Sequence, residues 1–339
     1  MSEIPARPVF EPPAHDRLGV LTGTARVMRE ARLVRIDAER LEQLARQWST
    51  TPWPEQAGLD ALHFQDGTER TVNWVLLLDA LNFCFWALPE QPRWRVEWHG
   101  VIYDGYAALA AALTRAIEEG HALWDATYLA ELGEEDLRAI LRPVAGALEI
   151  PLFAERLANA REVGRILLAR YEGQFARACE RSGQSAVELA LLLARDFPSF
   201  ADVSQWRDQP VPLLKRAQIC VADLHAAFGA QSWGAFPDLD QLTAFADYKL
   251  PQLLRGYGAL VYAPELAAQV DSYTLIPAGS EPEIEIRAAT IWAVELLRRM
   301  LAGYGIHRPA SAIDYRLWAE SQQTLPGVAP YHRTRTIYY

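Results

Sequence analysis

The sequence predicts a mainly α fold, a single helical globule carrying one small β-hairpin. Long segments place apolar residues at three- and four-residue spacing and are built from alanine, leucine, glutamate and arginine, which lose little on entering a helix. Strand candidates are few and short, chiefly one stretch that alternates with the period of a strand. No Gly-rich linker divides the chain and no unit of roughly 20 to 50 residues recurs, so a solenoid is not implied. With 339 residues, 50% of them hydrophobic, the chain can bury a substantial core.

In chain order, residues 1–15 are proline-rich and read as an extended arm, with 16–339 forming one domain whose pocket lies between helical lobes. "RVMREARLVRIDAERLEQLARQW" reads as helix. "RWRVEWHGVIYDG" alternates, and Trp94, Val96 and Trp98 mark it as the hairpin. "GYAALAAALTRAIEEG", "GEEDLRAILRPV", "RLANAREVGRILLARYEG", "SAVELALLLARDF" and "IRAATIWAVELLRRML" follow as helices. "FGAQSWGAFPDLDQ" is the best candidate for a loop separating halves, and the aromatic, basic tail "YHRTRTIYY" is expected to dock rather than fray.

Composition removes several function classes. The formal charge of -10, from 43 acids against 33 bases, argues against a surface that tracks nucleic-acid phosphates, so no direct nucleic-acid partner is expected. Cys84, Cys179 and Cys220 are far apart and form neither a disulfide framework nor a zinc motif, which suits a reducing compartment. No basic start with an apolar run opens the chain and no segment approaches the roughly 18 apolar residues of a membrane span, so a soluble cytoplasmic protein is expected. GxGxxG opening a strand-helix unit, GxxxxGK[ST], HExxH and GxSxG are all missing. Any chemistry therefore rests on carboxylates and aromatics.

Four constellations could carry it. "TVNWVLLLDALNFCFWALPEQPRW" sets Asn73, Asp79 and Asn82 among aromatics, as either a core helix whose polar groups tie neighbouring segments or the wall of a ligand pocket that His63 reaches from a loop. "PLLKRAQICVADLHAAF" puts Lys215 and Arg216 at a helix start, where they are a solvated basic face or a phosphate site. "FADYKLPQLLRGYGALVY" places Asp247 just before a helix that Pro251 helps to open. Asp247 is then a simple N-cap, or an anion that Phe245 and Tyr248 shield from water and that could stabilise a cationic centre. In "PASAIDYRLWAESQ", Asp314 caps or opens a last helix, or hydrogen-bonds the N–H edge of a buried heterocycle, with Tyr315 beside it.

Taken together, "TVNWVLLLDALNFCFW", "LLKRAQICVADLH", "FADYKLPQLLRGYGAL", "EIEIRAATIWAVELL", "IDYRLW" and the terminal "IYY" resemble the queuosine salvage family of queuosine 5′-phosphate N-glycosylase/hydrolases. The blocks run in the family's order from about His63 to the C-terminus. The resemblance implies a helical architecture similar to helix-hairpin-helix DNA glycosylases and hydrolysis of the N-glycosidic bond of queuosine 5′-monophosphate, releasing queuine for salvage into tRNA. It also implies that no metal or organic cofactor is needed. By the family's motifs Asp247 is the catalytic acid, Phe245 its aromatic neighbour, His63 the base-pocket histidine, and Asp314 with Tyr315 the late acid-tyrosine pair. The family often has "LWD" where this chain has "LWA", so Ala319 removes one expected contact and Glu320 or a water is its substitute. A non-catalytic nucleoside-binding or tRNA-modification accessory protein is the alternative from another class; it would need no anion at Asp247. For the phosphate, Lys215 and Arg216 are the first candidates, with Lys249, Arg333 and Arg335 behind them.

Overall fold

The structure, a computed structural model, describes residues 9–54, 60–323 and 327–339. It is mainly α, with three short antiparallel strand pairs among the described residues. The chain divides into two compact units, each assembled from separate stretches of sequence.

The first unit comprises Met1–Glu55, Asp202–Lys215 and Asp238–Arg335. Residues 1–8 of the expected arm lie outside the described residues; from residue 9 the arm has no regular structure. It is held down by the edge of Phe10 on Trp292 at 5.4 Å and by Arg29 and Arg299, which donate to the carbonyls of Phe10 and Glu11. The single helix expected over residues 26–48 is instead the helix Val20–Glu30, the strand Val34–Ile36 and the helix Ala38–Ser49. Asp37 explains the break, because its carboxylate accepts the Arg40 N–H at 3.1 Å and so opens a new helix. The strand pairs Val34 with Tyr262 and Ile36 with Leu260. At three residues each, these strands are too short to show a period.

The axis of this unit is the helix Glu281–Gly303, whose middle is buried on every side. The helices Val20–Glu30, Ala38–Ser49, Lys249–Gly256 and Ala310–Ser321 pack on it. Its buried acids have tasks. Glu285 accepts the backbone N–H groups of Arg32, Leu33 and Val34, the last two at 2.7 and 3.0 Å, and so satisfies amides that open the short strand. A second hairpin, Val203–Trp206 with Gln209–Pro212, was not legible because Pro210 and Pro212 read against a strand. Its two-residue turn places Arg207 and Asp208 at φ 47 and 62, the left-handed pair that a tight hairpin demands.

The second unit comprises Gln56–Ala201, Arg216–Pro237 and Thr336–Tyr339. At its centre the helix Glu69–Ala80 is buried continuously from Thr71 to Ala80. Asn73 shows what a polar residue does there: its amide donates to the carbonyls of Trp124 and Gly173, both at 2.9 Å, and its oxygen accepts the Phe175 N–H at 2.7 Å. It ties three segments together, the core-helix alternative for this run. The expected hairpin is present as Arg95–Trp98 with Val101–Asp104, turning at His99 and Gly100. The helix Phe153–Tyr171 lies so close to Ala126–Ala130 that a Cβ on Gly164 would meet the Ala130 nitrogen at 2.3 Å, which explains glycine at that position. The three cysteines are buried free thiols, and no helix among the described residues is long and apolar enough to cross a membrane.

Candidate active site

Phe245, Asp247, Asp314 and Tyr315 all belong to the first unit. Asp247 stands in an irregular segment that leads into the helix Lys249–Gly256. Its Oδ1 accepts the N–H of Lys249 at 2.8 Å and of Leu250 at 3.0 Å, so it caps the helix, while Pro251 has no N–H to satisfy. Its Oδ2 accepts no hydrogen bond from the described residues. Oδ1 thus does what the cap reading of this acid expects. Phe245 and Tyr248 are buried on either side in sequence, and the Tyr248 ring lies 4.9 Å from that of Tyr331.

Asp314 is the fifth residue of the helix Ala310–Ser321, not its cap, which is Pro309. Only 6% exposed, it accepts the Phe245 N–H through Oδ2 at 2.7 Å. Burial pushes its carboxyl well above the usual carboxylate range; the Phe245 N–H and the Lys215 ammonium pull the other way, and the charge of Asp247 adds to the push. Asp314 is thereby held toward its neutral form. Tyr315, next on the helix, is half-buried with its ring 6.1 Å from Trp318.

The segment carrying Phe245 and Asp247 is anchored by Arg287, which the sequence reading passed over inside an apolar helix. Arg287 is 1% exposed and donates from Nε to the Ala246 carbonyl at 3.1 Å. Its two terminal nitrogens grip Asp202 at 2.9 and 2.5 Å, and one also reaches Glu283 at 3.4 Å. Asp202 in turn accepts the Lys215 N–H at 3.1 Å. His332, 1% exposed, is neutral here: burial, reinforced by the Arg287 charge, drags its pKa down to about 3. The signal that could have found Arg287 is general, since a guanidinium in an apolar helix must face carboxylates or carbonyls.

The expected phosphate donors separate. Arg216 is a correction: it is 0% exposed in the second unit and spends its donors on the carbonyls of Asp79, Ala80 and Ser199. It is a strut between segments, because a guanidinium matches several carbonyls at once. Lys215 is 6% exposed and its charge acts on Asp314. Lys249 and Arg333 approach the Tyr331 ring at 5.4 and 4.8 Å, so two cations gather two residues beyond Asp247 and on the docked tail. Arg335 is exposed. Glu320, the substitute considered for the missing acid at Ala319, is engaged by Arg316 at 3.0 Å and by the Tyr257 hydroxyl at 2.5 Å.

His63 belongs to the second unit, immediately after the turn Asp60–Leu62. Its Nε2 lies 3.0 Å from the Tyr106 hydroxyl, and its ring is 5.4 Å from Trp74. Among the described residues no group of three or more His, Cys, Asp or Glu is placed to hold a metal ion.

The family model for the queuosine salvage protein matches residues 62–339. The chain belongs to the queuosine salvage family. It is 49% identical over 324 residues to the queuosine 5′-phosphate N-glycosylase/hydrolase of Sphaerobacter thermophilus, covering 96% of this chain and 98% of that protein. Proteins of the same name from Mus musculus and Schizosaccharomyces pombe are 37% and 33% identical, over 90% and 82% of this chain and 92% and 86% of theirs. The queuosine salvage match begins within one residue of His63 and takes in every candidate side chain named above.

Proposed function

We propose that this chain is an N-glycosyl hydrolase that cleaves queuosine 5′-monophosphate to queuine and ribose 5-phosphate, with Asp247 as the carboxylate that meets C1′. Family membership carries the reaction; the free Oδ2 of a carboxylate whose Oδ1 is pinned by two amides supports Asp247 as the residue that performs it. As the C1′–N bond breaks, its electron pair leaves with the base and positive charge builds on the sugar. A fixed anion between buried aromatics stabilises that charge, or captures it as an ester that water then opens. A pinned carboxylate needs no reorganisation at that moment, which is where such sites gain their rate.

The leaving base is the harder half. A 7-deazaguanine lacks the ring nitrogen at which other purines are protonated, so it must be activated through its remaining edges. Asp314, held above the usual carboxylate range, is suited to donate a hydrogen bond or proton to such an edge, and Phe245 and Tyr315 frame the heterocycle. His63 is a further contact to the base. For the 5′-phosphate we assign Lys249 and Arg333 in place of Arg216, with Lys215 serving Asp314. The whole of 16–339 acts as one catalytic domain in the cytoplasm. Free queuine appearing when the protein is mixed with the nucleotide tests the reaction; saturable binding without release would make it the non-catalytic binder.

A further inference from the structure

We infer that Glu320 is a positioning residue: with Tyr257 it braces the helix Ala310–Ser321 against the helix Lys249–Gly256 and so sets Asp314 in place against Asp247. All the residues concerned belong to the first unit. The two helices pack on each other; one leads out of Asp247 and the other carries Asp314 near its start. Hydrogen bonds join them at two places. At one, Asp314 Oδ2 accepts the Phe245 N–H at 2.7 Å. At the other, farther along both segments, Glu320 Oε2 accepts the Tyr257 hydroxyl at 2.5 Å. Apolar packing holds the helices together without setting a direction, and a single hydrogen bond is a pivot. A second one, about 9 Å along the helix from Asp314, fixes the angle as well.

Both halves of the brace are themselves held. Tyr257 closes its helix: Gly258, at φ 74, donates to the Arg255 carbonyl and Ala259 to that of Leu254, both at 2.9 Å, the paired bonds of a glycine-terminated helix. Burial, then the hydrogen bond to Glu320, push the Tyr257 hydroxyl above its ordinary range, so it stays a donor. Glu320 Oε1 accepts Arg316 Nε at 3.0 Å, so each of its oxygens serves one donor. Arg316 is only 6% exposed; its Nη2 donates to Thr51 Oγ1 at 2.8 Å and its guanidinium lies over the Trp48 ring at 4.2 Å. The carboxylate therefore hangs from a seated side chain, and the hydroxyl it accepts marks the end of the other helix. This inference rests on the reading of Asp247 and Asp314 as the reacting acids and gives Glu320 no contact with substrate.

The test uses the full-length protein as wild type, Tyr257→Phe, Glu320→Gln and their double variant. Phenylalanine keeps the ring and loses the hydroxyl; glutamine keeps the shape but offers one acceptor oxygen where two donors meet. Each single change should lower kcat for queuosine 5′-monophosphate about 10- to 100-fold, the scale for misplacing reacting groups by up to about 1 Å, with KM moving far less. The double variant should be no slower than the slower single, because both changes cut one brace. Amide hydrogen exchange, read by nitrogen-15 NMR, reports the geometry. Phe245 N–H, whose acceptor is Asp314, should exchange at least about tenfold faster, while Leu33 N–H, held by Glu285 in the same unit, keeps its rate. Unchanged exchange at Phe245, equal quickening at Leu33, or rate losses that multiply in the double variant overturn the brace. So does a raised KM at unchanged kcat, which would make Glu320 a direct contact to substrate. If Phe245 alone responds but kcat stays at the wild-type value, the brace stands and it is the reading of the two acids that fails.

Discussion

Replacing Arg287 by methionine removes the group on which the Asp247 segment hangs. Arg287 and Asp202 are each 1% exposed, and the guanidinium makes two hydrogen bonds to that acid and one to the Ala246 carbonyl. Methionine keeps most of the volume, so the cost is electrostatic: a buried carboxylate is left with the Lys215 N–H as its remaining donor. Breaking a buried pair from one side costs about 3–5 kcal/mol, a large share of the 5–15 kcal/mol that holds a typical domain together. Urea denaturation followed by circular dichroism should therefore show a lower midpoint at unchanged slope. The double variant Arg287→Met with Asp202→Leu should recover most of that loss, because an apolar pair replaces an ionic one at little cost. Arg287→Lys keeps charge but not the fork, so the Ala246 carbonyl should drift and kcat/KM should fall on the order of a hundredfold. A penalty under about 1 kcal/mol for Arg287→Met, or a double variant as unstable as the sum of the singles, refutes the anchoring argument.

Asp314 holds its proton more tightly folded than unfolded, so the folded state binds more protons in the window above the ordinary carboxylate pKa. Stability should fall as pH rises through that window by about 1.4 kcal/mol per pH unit, a slope that Asp314→Asn should lack; equal pH profiles for the two proteins would contradict this. For His332, with a folded pKa of about 3 against roughly 6.5 unfolded, the sign is opposite. Its contribution is complete above about pH 6.5 and is lost as pH falls toward 3, so His332→Gln should flatten acid unfolding in that range, and an unaltered acid limb would argue against a buried neutral ring. For the phosphate, kcat/KM should favour queuosine 5′-monophosphate over the nucleoside, with the preference shrinking at high salt and in Lys249→Ala; an undiminished preference in that variant removes Lys249 from the assignment.

Much of this was legible because it is local. Alanine- and leucine-rich periodicity gave the long helices, and the alternation of Trp94, Val96 and Trp98 gave the hairpin before any contact was known. Asp247 could be placed at a helix start from Pro251 alone. What stayed hidden depends on partners far along the chain. The Asp37 cap splits a pattern that is otherwise continuously helical, and Pro210 and Pro212 disguise a strand whose register only its hairpin partner fixes. Lys215 and Arg216 look alike as adjacent bases, yet the charge of one acts on a buried acid of the first unit and the other ties carbonyls within the second. Periodicity cannot say which way a long side chain turns. Arg287 was missed for the same reason: Glu283, Ala246 and Asp202, which it holds, sit 4, 41 and 85 residues away.

The most direct test of the account is single-turnover release of queuine from queuosine 5′-monophosphate by the wild type and by Asp247→Asn, with calorimetric binding measured on the same samples. Asparagine preserves the Oδ1 acceptor for the Lys249 and Leu250 amides, so the fold and the bound complex should persist. Loss of a charge aimed at the transition state is worth about 3 kcal/mol or more, so release should slow at least on the order of a hundredfold at near-unchanged affinity. Wild-type binding without release of base, or Asp247→Asn turning over at close to the wild-type rate, would contradict it.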